Sequence, residues 1–480
     1  MPASFLFYDL ETFGADPRTS RIAQFAAIRT DAELRQVEDP ISFFVQPADD
    51  LLPSPVATLI TGITPQQAMR DGVTEAAAFA RIVEEMSRPE TCTLGYNSLR
   101  FDDEFIRHGL FRNFHDAYER EWRGGNCRWD LLDVMRLAHA LRPDGLVWPQ
   151  REDGATSFRL EHLAAANDVR TGDAHEALSD VRALIGLARK LRLAQPRLWD
   201  YALTLRNKRQ TAQLLDTVGM TPVLHVSQRY PASRLCAAAV LPLARHPHID
   251  SRVIVFDLDG DPDALLTLDA DDIADRLYTP AADLPPGEVR IGLKEVHLNR
   301  CPALIAWNHL REEDFARLGI ESGRIQRHAT LLRQAGPALA EKVRRVYATE
   351  RSRAAGDVDA SLYEGFVGDG DKRRLADVRA TPPAELATRA IPFSDQRLVE
   401  LLFRYRARNW PHTLAPDERQ RWDDYRRRRL FGESGLSELG FERYRTELAH
   451  LRGKHAGDGR RLELLDKLDD WANVIETSLA

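Results

Sequence analysis

Phe5-Leu6-Phe7-Tyr8-Asp9-Leu10-Glu11-Thr12-Phe13-Gly14 is an apolar run that ends in two acids. Its opening residues read as a core strand. On a strand, residues i and i+2 share a face, so Asp9 and Glu11 project together, ~6.5 Å apart along the backbone. Hard carboxylate oxygens at the rim of a core sheet suit a divalent cation such as Mg²⁺. The pair alone is weak evidence. With 73 acidic residues in 480, about eleven acid-x-acid pairs arise by chance.

Two further segments carry acids. In Leu94-Gly95-Tyr96-Asn97-Ser98-Leu99-Arg100-Phe101-Asp102-Asp103-Glu104-Phe105 a strand ends, a polar turn follows, and Asp102 and Asp103 open a helix. Acids in a first helical turn complement the helix dipole, which explains their charge but not the flanking Asn97 and Phe101. In Asp173-Ala174-His175-Glu176-Ala177-Leu178-Ser179-Asp180, Asp173 and Glu176 suit a capping box. His175 and Asp180 are five residues apart, ~140° around an ideal helix. One site uses both only if His175 lies on the loop end while Asp180 is held within the helix. A mobile imidazole of ordinary pKa ~6.5 beside a fixed ligand suits a general base.

Around these segments, residues 1 to about 190 alternate strand-like and helix-like pieces. Strands are expected at Phe5–Tyr8, Ile22–Arg29, Ile41–Val45 and Thr91–Tyr96, helices at Glu75–Ser87, Asp102–Leu110, Asp130–Leu141 and Ala174–Leu193. That is an α/β domain with a central sheet. From about 221 the pattern changes to short β runs (Val223–Val226, Leu235–Leu241, Val253–Leu258, Val289–Leu293, Ala303–Trp307), which suggest a small barrel. Helix returns over Glu312 to Arg353 and, after Gly365–Asp371, over nearly everything to Ala480. A net charge of -7 argues against wholesale coating by nucleic acid but leaves 66 Lys and Arg to form a local groove. Cys92, Cys127, Cys236 and Cys301 lie far apart with no CxxC pair, which excludes a zinc ribbon and a disulfide scaffold and fits reduced thiols. No apolar stretch is long enough to span a bilayer, and the first residues show no basic region of a signal peptide. A cytoplasmic location is expected.

Taken in order, Asp-x-Glu on the first strand, Asn-x3-Phe-Asp before a helix and His-x4-Asp resemble the DEDDh 3′→5′ exonucleases. Asp9-Leu10-Glu11-Thr12-Phe13-Gly14, Gln24–Thr30, Leu59–Pro65, Arg128–Arg136, Ser157-Phe158-Arg159-Leu160-Glu161-His162-Leu163 and Tyr405–Asn409 look like the bacterial exonuclease I family within that superfamily. The resemblance covers essentially the whole chain. It implies an α/β ribonuclease H-like exonuclease domain (1–194), an SH3-like β-barrel domain with flanking helices (195–351) and an all-helical C-terminal domain (352–480). It implies Asp9, Glu11 and Asp180 as direct Mg²⁺ ligands, Asp102 completing the site, and His175 as general base. Arg159 would touch substrate phosphate, and Glu11, Thr12, Phe13 and Asn97 would also line the substrate. Two Mg²⁺ ions are expected, with Mn²⁺ as a substitute, because crowded carboxylates repel one another without cations. The implied activity is processive 3′→5′ hydrolysis of single-stranded DNA to 5′-mononucleotides in DNA repair and recombination, by a monomer. A nuclease acting on RNA ends and a non-catalytic binding protein on the same fold remain alternatives. Family members also bind the acidic C-terminal tail of single-strand-binding protein. Arg142, Tyr201, Arg311 and Arg333 occupy matching positions, with Ala306 at a neighbouring place that is otherwise polar.

Weaker signals read as structure. Asp257–Asp263 places its Gly at the fourth position of an acidic loop, not the sixth that a calcium loop wants, and suits a hairpin turn. His246 and His248 suit a polar turn. Arg426–Arg429 suits a solvated helix face, whereas Arg404, Arg406 and Arg408 with Tyr405 and Trp410 read as phosphate contacts and stacking platforms. Trp422, Tyr425 and the Arg426–Arg429 run would extend that track over the catalytic groove.

Overall fold

The apolar N-terminal run forms β1 (Ser4–Thr12), buried throughout except at Ser4 and Asp9. The computed structural model describes residues 2–170, 172, 176–348, 356–432 and 436–480. β2 (Ile22–Asp31) pairs antiparallel with β1, β3 (Ile41–Phe44) pairs antiparallel with β2, and β4 (Thr91–Gly95) lies parallel to β1, in the order β3-β2-β1-β4. A central strand covered on both faces needs apolar residues on both. Leu6, Tyr8 and Leu10 accordingly pack with Phe25, Phe79, Phe105 and Ile106. The mixed α/β architecture is the expected one.

The chain divides into two units. Met1–Cys127, Arg170–Ile185 and Arg353–Ala480 form one, Arg128–Val169 and Gly186–Ser352 the other. The first therefore joins the N-terminal sheet to the C-terminal helices. Leu375, Val378, Leu398 and Leu401 share a core with Phe111 and Phe114, and Leu52 lies in the core of the last two helices, Phe441–Lys454 and Gly459–Leu479.

The arginines and aromatics expected to form a DNA track belong to this interior. On helix Gln396–Asn409, Arg408 Nη2 donates to Asp359 Oδ2 at 2.5 Å and to Asp50 Oδ2 at 2.8 Å. Arg404 Nη1 donates to Asp359 Oδ2 at 3.2 Å and to the Tyr425 hydroxyl at 2.8 Å. Arg406 forks onto Glu418 at 2.6 and 2.9 Å. Tyr405, Trp422 and Tyr425 are buried and Trp410 is half-buried, so the first three present no open face for stacking. The Arg426–Arg429 run is not a solvated face either. Arg429 donates to Thr19 O at 2.7 Å, Arg426 to Asp49 O at 3.0 Å and Arg427, its side chain 39% exposed, to Leu479 O at 2.9 Å; Arg428 is exposed. Composition is the same for a basic groove and for a buried ion network; only the acids of distant segments distinguish them.

A fifth strand, β5 (Cys127–Asp130), was not anticipated, its few residues being hidden by the helix that follows. The second unit carries an antiparallel sheet of β6 (Val223–Val226), β7 (Ala237–Arg245), β8 (Arg252–Asp257), β9 (Leu293–His297) and β10 (Ala303–Ala306), in the order β10-β6-β7-β8-β9. β7 and β9 depart most from expectation. Leu235 and Cys236 have φ of 52° and 57°, incompatible with a strand, so β7 begins at Ala237. β9 starts where the expected strand ended, with polar Lys294 and Glu295 concealing it and Arg252 Nη1 holding Glu295 Oε1 at 3.0 Å across the ladder. Asp257–Asp263 is a turn, but it leads into helix Asp263–Thr267 instead of returning as a hairpin. His246 does build a polar turn, its Nδ1 accepting from His248 N at 3.1 Å. The helix expected over Glu312–Arg353 is broken into Glu312–Leu318, Ser322–Gln334 and Gly336–Val346.

Asp359 and Asp50 are each 1% exposed and held by arginines, which keep Asp359 well below the usual carboxylate range and lower Asp50 likewise, against the upward push of burial. A depressed folded pKa gives stability that is fully present above the unfolded value of ~3.9 and is lost as pH falls through the folded one. Removing Arg408 takes the shortest ion pair from each of two buried carboxylates, leaving Arg429 near both and Arg404 and Arg21 near Asp359. Arg408→Ala is therefore expected to lose up to about 3 kcal/mol in urea unfolding at pH 7, and a chain cut at 351 to lose its cooperative transition. An Arg408→Ala midpoint equal to wild type would contradict this.

Candidate active site

The β1–β4 pairing ends at Phe7–Leu94, while β1 runs on to Thr12 beside β2. Past that last pair, the Leu10 N–H donates to Asp102 Oδ1 at 3.2 Å. The turn after β4 makes this possible. A Cβ on Gly95 would lie 2.4 Å from that of Ser98, and Asn97 takes φ 63°, a left-handed conformation Asn tolerates. The Asn97 carbonyl then accepts from Arg100 N and Phe101 N at 3.1 and 3.2 Å. This gives Asn97 a backbone reason for its identity.

Helix Asp102–Arg112 separates its two leading acids. Asp103 is bound by the Tyr8 hydroxyl at 2.9 Å and by Arg120 Nη2 at 2.5 Å, all three buried. With Asp103 clamped, Asp102 is held against β1. Asp180 sits in the first turn of helix Ala177–Ala194, its N–H donating to Glu176 O at 3.0 Å. Glu176 caps that helix itself, Oε2 accepting from Ser179 N at 2.8 Å. Gly172 has φ +95°, and a Cβ there would lie 3.0 Å from Ser179 Oγ. His175 and Asp173 lie outside the described residues.

Asp9, Glu11 and Asp180 meet, each offering one oxygen within 4.8 Å of the others. Oxygens around one Mg²⁺ at 2.0–2.1 Å stand ~3 Å apart when adjacent and ~4.2 Å when opposite, so the set fits a small divalent cation with slight closure. Burial, then repulsion from Asp102, Glu11 and Asp180, holds the Asp9 carboxyl well above the ordinary range. Burial, then Asp180, Asp102 and Glu176, pushes Glu11 up to about 9. Arg170, which no motif marked, donates Nη2 to Asp180 Oδ1 at 2.7 Å.

The Thr12 hydroxyl donates to Gly14 O at 2.8 Å. Phe13 is 2% exposed and packs on Ala23, Leu51, Ile63 and Ala68. Arg159, in the second unit, is the N-cap residue of helix Leu160–Ala166, its side chain 73% exposed with Nη1 3.6 Å from Glu161. Also in that unit, Arg142 and Arg311 converge on Asp314 at 2.5 and 3.2 Å, the Tyr201 hydroxyl donates to Leu304 O at 2.9 Å, and Arg333 donates to Met220 O at 3.0 Å.

Comparison with known proteins agrees with this arrangement. Family models match at residues 6–188 (exonuclease), 206–349 (exonuclease I SH3-like domain) and 356–475 (exonuclease I C-terminal domain). Exodeoxyribonuclease I of Escherichia coli is 45% identical over 474 residues, 98% of each chain, and that of Haemophilus influenzae 40% identical over 470, again 98% of each. The chain belongs to the exonuclease I family. Among solved structures, exonuclease I from Methylocaldum szegediense matches with a TM-score of 0.94 at 47% identity, covering 98% of this chain and 99% of that one. The E. coli enzyme in complex with a dA16 oligonucleotide matches at 0.93 and 45%, covering 98% and 100%. A zinc-bound form of the E. coli complex with single-stranded DNA matches at 0.94 and 44%, covering 98% and 99%. Membership makes this chain an exonuclease with a ribonuclease H-like domain, an SH3-like domain and a helical C-terminal domain.

For this family member the raised carboxyl of Glu11 has a measurable sign. The folded state binds the proton more tightly than the unfolded chain, so stability falls as pH rises from the unfolded value of ~4.3 towards the folded value of about 9. The metal-free melting temperature is expected to drop between pH 5 and 9. Mn²⁺ should raise it more at pH 8.5 than at pH 5.5, and Glu11→Gln should flatten the slope. Differential scanning fluorimetry checks this; a metal-free melting temperature that climbs over the same range would refute it.

Proposed function

We propose that this chain is a Mg²⁺-dependent exonuclease that degrades single-stranded DNA processively from its 3′ end, releasing 5′-mononucleotides, in DNA repair and recombination in the cytoplasm, as a monomer. The observation that carries the reading is the meeting of Asp9, Glu11 and Asp180 at the open end of β1. Oligonucleotide complexes of the E. coli enzyme support the substrate. Among the described residues no helix is long and apolar enough to cross a membrane. We keep 1–194, 195–351 and 352–480 as the exonuclease, SH3-like and C-terminal domains.

In this reading Asp9, Glu11 and Asp180 hold two divalent ions, Mg²⁺ or in its place Mn²⁺, and Asp102 completes the centre. Bound there, the cation supplies charge neutralisation, activation of water and stabilisation of the departing oxygen. His175 takes a proton from the attacking water, whose oxygen forms the new bond to phosphorus. The bond from phosphorus to the 3′ oxygen of the penultimate nucleotide breaks, and that oxygen keeps the electron pair and takes a proton from solvent water. The products are a free nucleotide with a 5′ phosphate and a strand with a new 3′ hydroxyl. Thr12 and Asn97 flank the terminal nucleotide alongside Glu11, Phe13 contributes through its backbone since its side chain is buried, and Arg159 holds the phosphate. Arg142, Tyr201, Arg311 and Arg333 receive an acidic peptide, the tail of single-strand-binding protein. The closeness of Arg142 and Arg311 on one carboxylate supports this, with Asp314 as the competitor such a peptide displaces.

On 3′-labelled single-stranded DNA, Asp180→Ala is expected to abolish release of mononucleotides while binding survives, most affinity coming from phosphate contacts elsewhere. His175→Ala should lower kcat by about 10²–10⁴ with little change in KM. Near-wild-type cleavage by either variant would overturn the site. For the partner surface, Arg142→Ala should weaken binding of an acidic peptide about tenfold in fluorescence anisotropy, and unchanged affinity would discard the patch.

A further inference from the structure

Arg170 shares Asp180 with the metal centre. The two side chains are 14% and 13% exposed, and Nη2 to Oδ1 is 2.7 Å. The guanidinium also acts on Asp9, where its positive charge opposes the repulsion of the neighbouring carboxylates. A cation fixed to the chain neutralises part of this cluster, and it does so on the carboxylate that a divalent ion would use.

We propose that Arg170 is a tethered counter-ion of the metal centre, occupying Asp180 when no metal is bound and yielding it when a divalent cation enters. The inference rests on reading Asp9, Glu11 and Asp180 as metal ligands and goes beyond it to how tightly they bind. Two cations of like sign within a few ångströms repel strongly in a partly buried site. The tether also gives Arg170 a high effective concentration that free metal must outcompete. Arg170 therefore weakens metal affinity while it stabilises the metal-free cluster. It is a positioning residue that acts through Asp180.

The test is Mn²⁺ binding to the full-length protein by isothermal titration calorimetry, with activity left aside. Arg170→Gln is expected to bind Mn²⁺ at least about tenfold more tightly than wild type, with a lower metal-free melting temperature and a larger rise on adding Mn²⁺. Arg170→Lys, which keeps the charge, should stay close to wild type. Equal or weaker affinity in Arg170→Gln overturns the counter-ion role, since a residue that merely braced Asp180 would lose affinity when removed. Failure of both wild type and Arg170→Gln to bind Mn²⁺ refutes the underlying metal centre as well, and so separates the two failures. Should Arg170→Gln not fold, a crystal structure of the unaltered protein with Mn²⁺ decides. A guanidinium moved off Asp180 supports the proposal, and a retained pair overturns it.

Discussion

Asp359 sits 1% exposed among Arg408, Arg404, Arg21 and Arg429, and Asp50, equally buried, shares Arg408 and Arg429 with it. These acids come from a loop after β3 and from the stretch before the C-terminal helices, while the arginines come from the entry to β2 and from helices Gln396–Asn409 and Pro416–Leu430. Burial alone would drive both carboxyls upward. Their depression shows that the arginine field outweighs desolvation. Such a network contributes less net stability than its contacts suggest, but removing one member leaves the buried charges only partly compensated. It locks the C-terminal helices onto the N-terminal sheet, and Arg21 ties it directly to the start of β2, the strand whose Gln24 pairs with Glu11.

The acidic centre inverts that logic. There the fold gathers like charges, and Asp9 and Glu11 are each pushed up by burial and by Asp102 and Asp180. Such a cluster persists because β1 is packed through Leu6, Tyr8 and Leu10 on one face and buried at Phe5 and Phe7 on the other, and Asp102 is held by the clamp of Tyr8 and Arg120 on Asp103. Rigid packing thus stores electrostatic repulsion that a divalent cation relieves. Arg170 supplies a partial, built-in relief.

Much of this was legible beforehand. β1, β2 and β4 stand out as apolar runs, and helices Glu75–Met86 and Asp102–Arg112 lie close to where periodicity placed them. The three acid-bearing segments were identifiable because an ordered set of motifs is far rarer than any one of them. The short helices Pro55–Thr61, Pro65–Asp71 and Leu160–Ala166 escaped, each having too few turns to show a period. The arginine-rich helices are not legible in this way, since an arginine facing solvent or DNA and one facing a distant aspartate look alike in one dimension.

What the amino-acid sequence alone determined was the alternation of elements and the identity of the carboxylates, because strand and turn chemistry act over a few residues. Which of Asp102 and Asp103 faces β1, that Arg170 reaches Asp180, and that Asp50 and Asp359 claim the C-terminal arginines were decided by tertiary structure. Charge interactions extend through space across hundreds of residues of chain. Their partners are chosen only when the hydrophobic core has fixed which segments are neighbours.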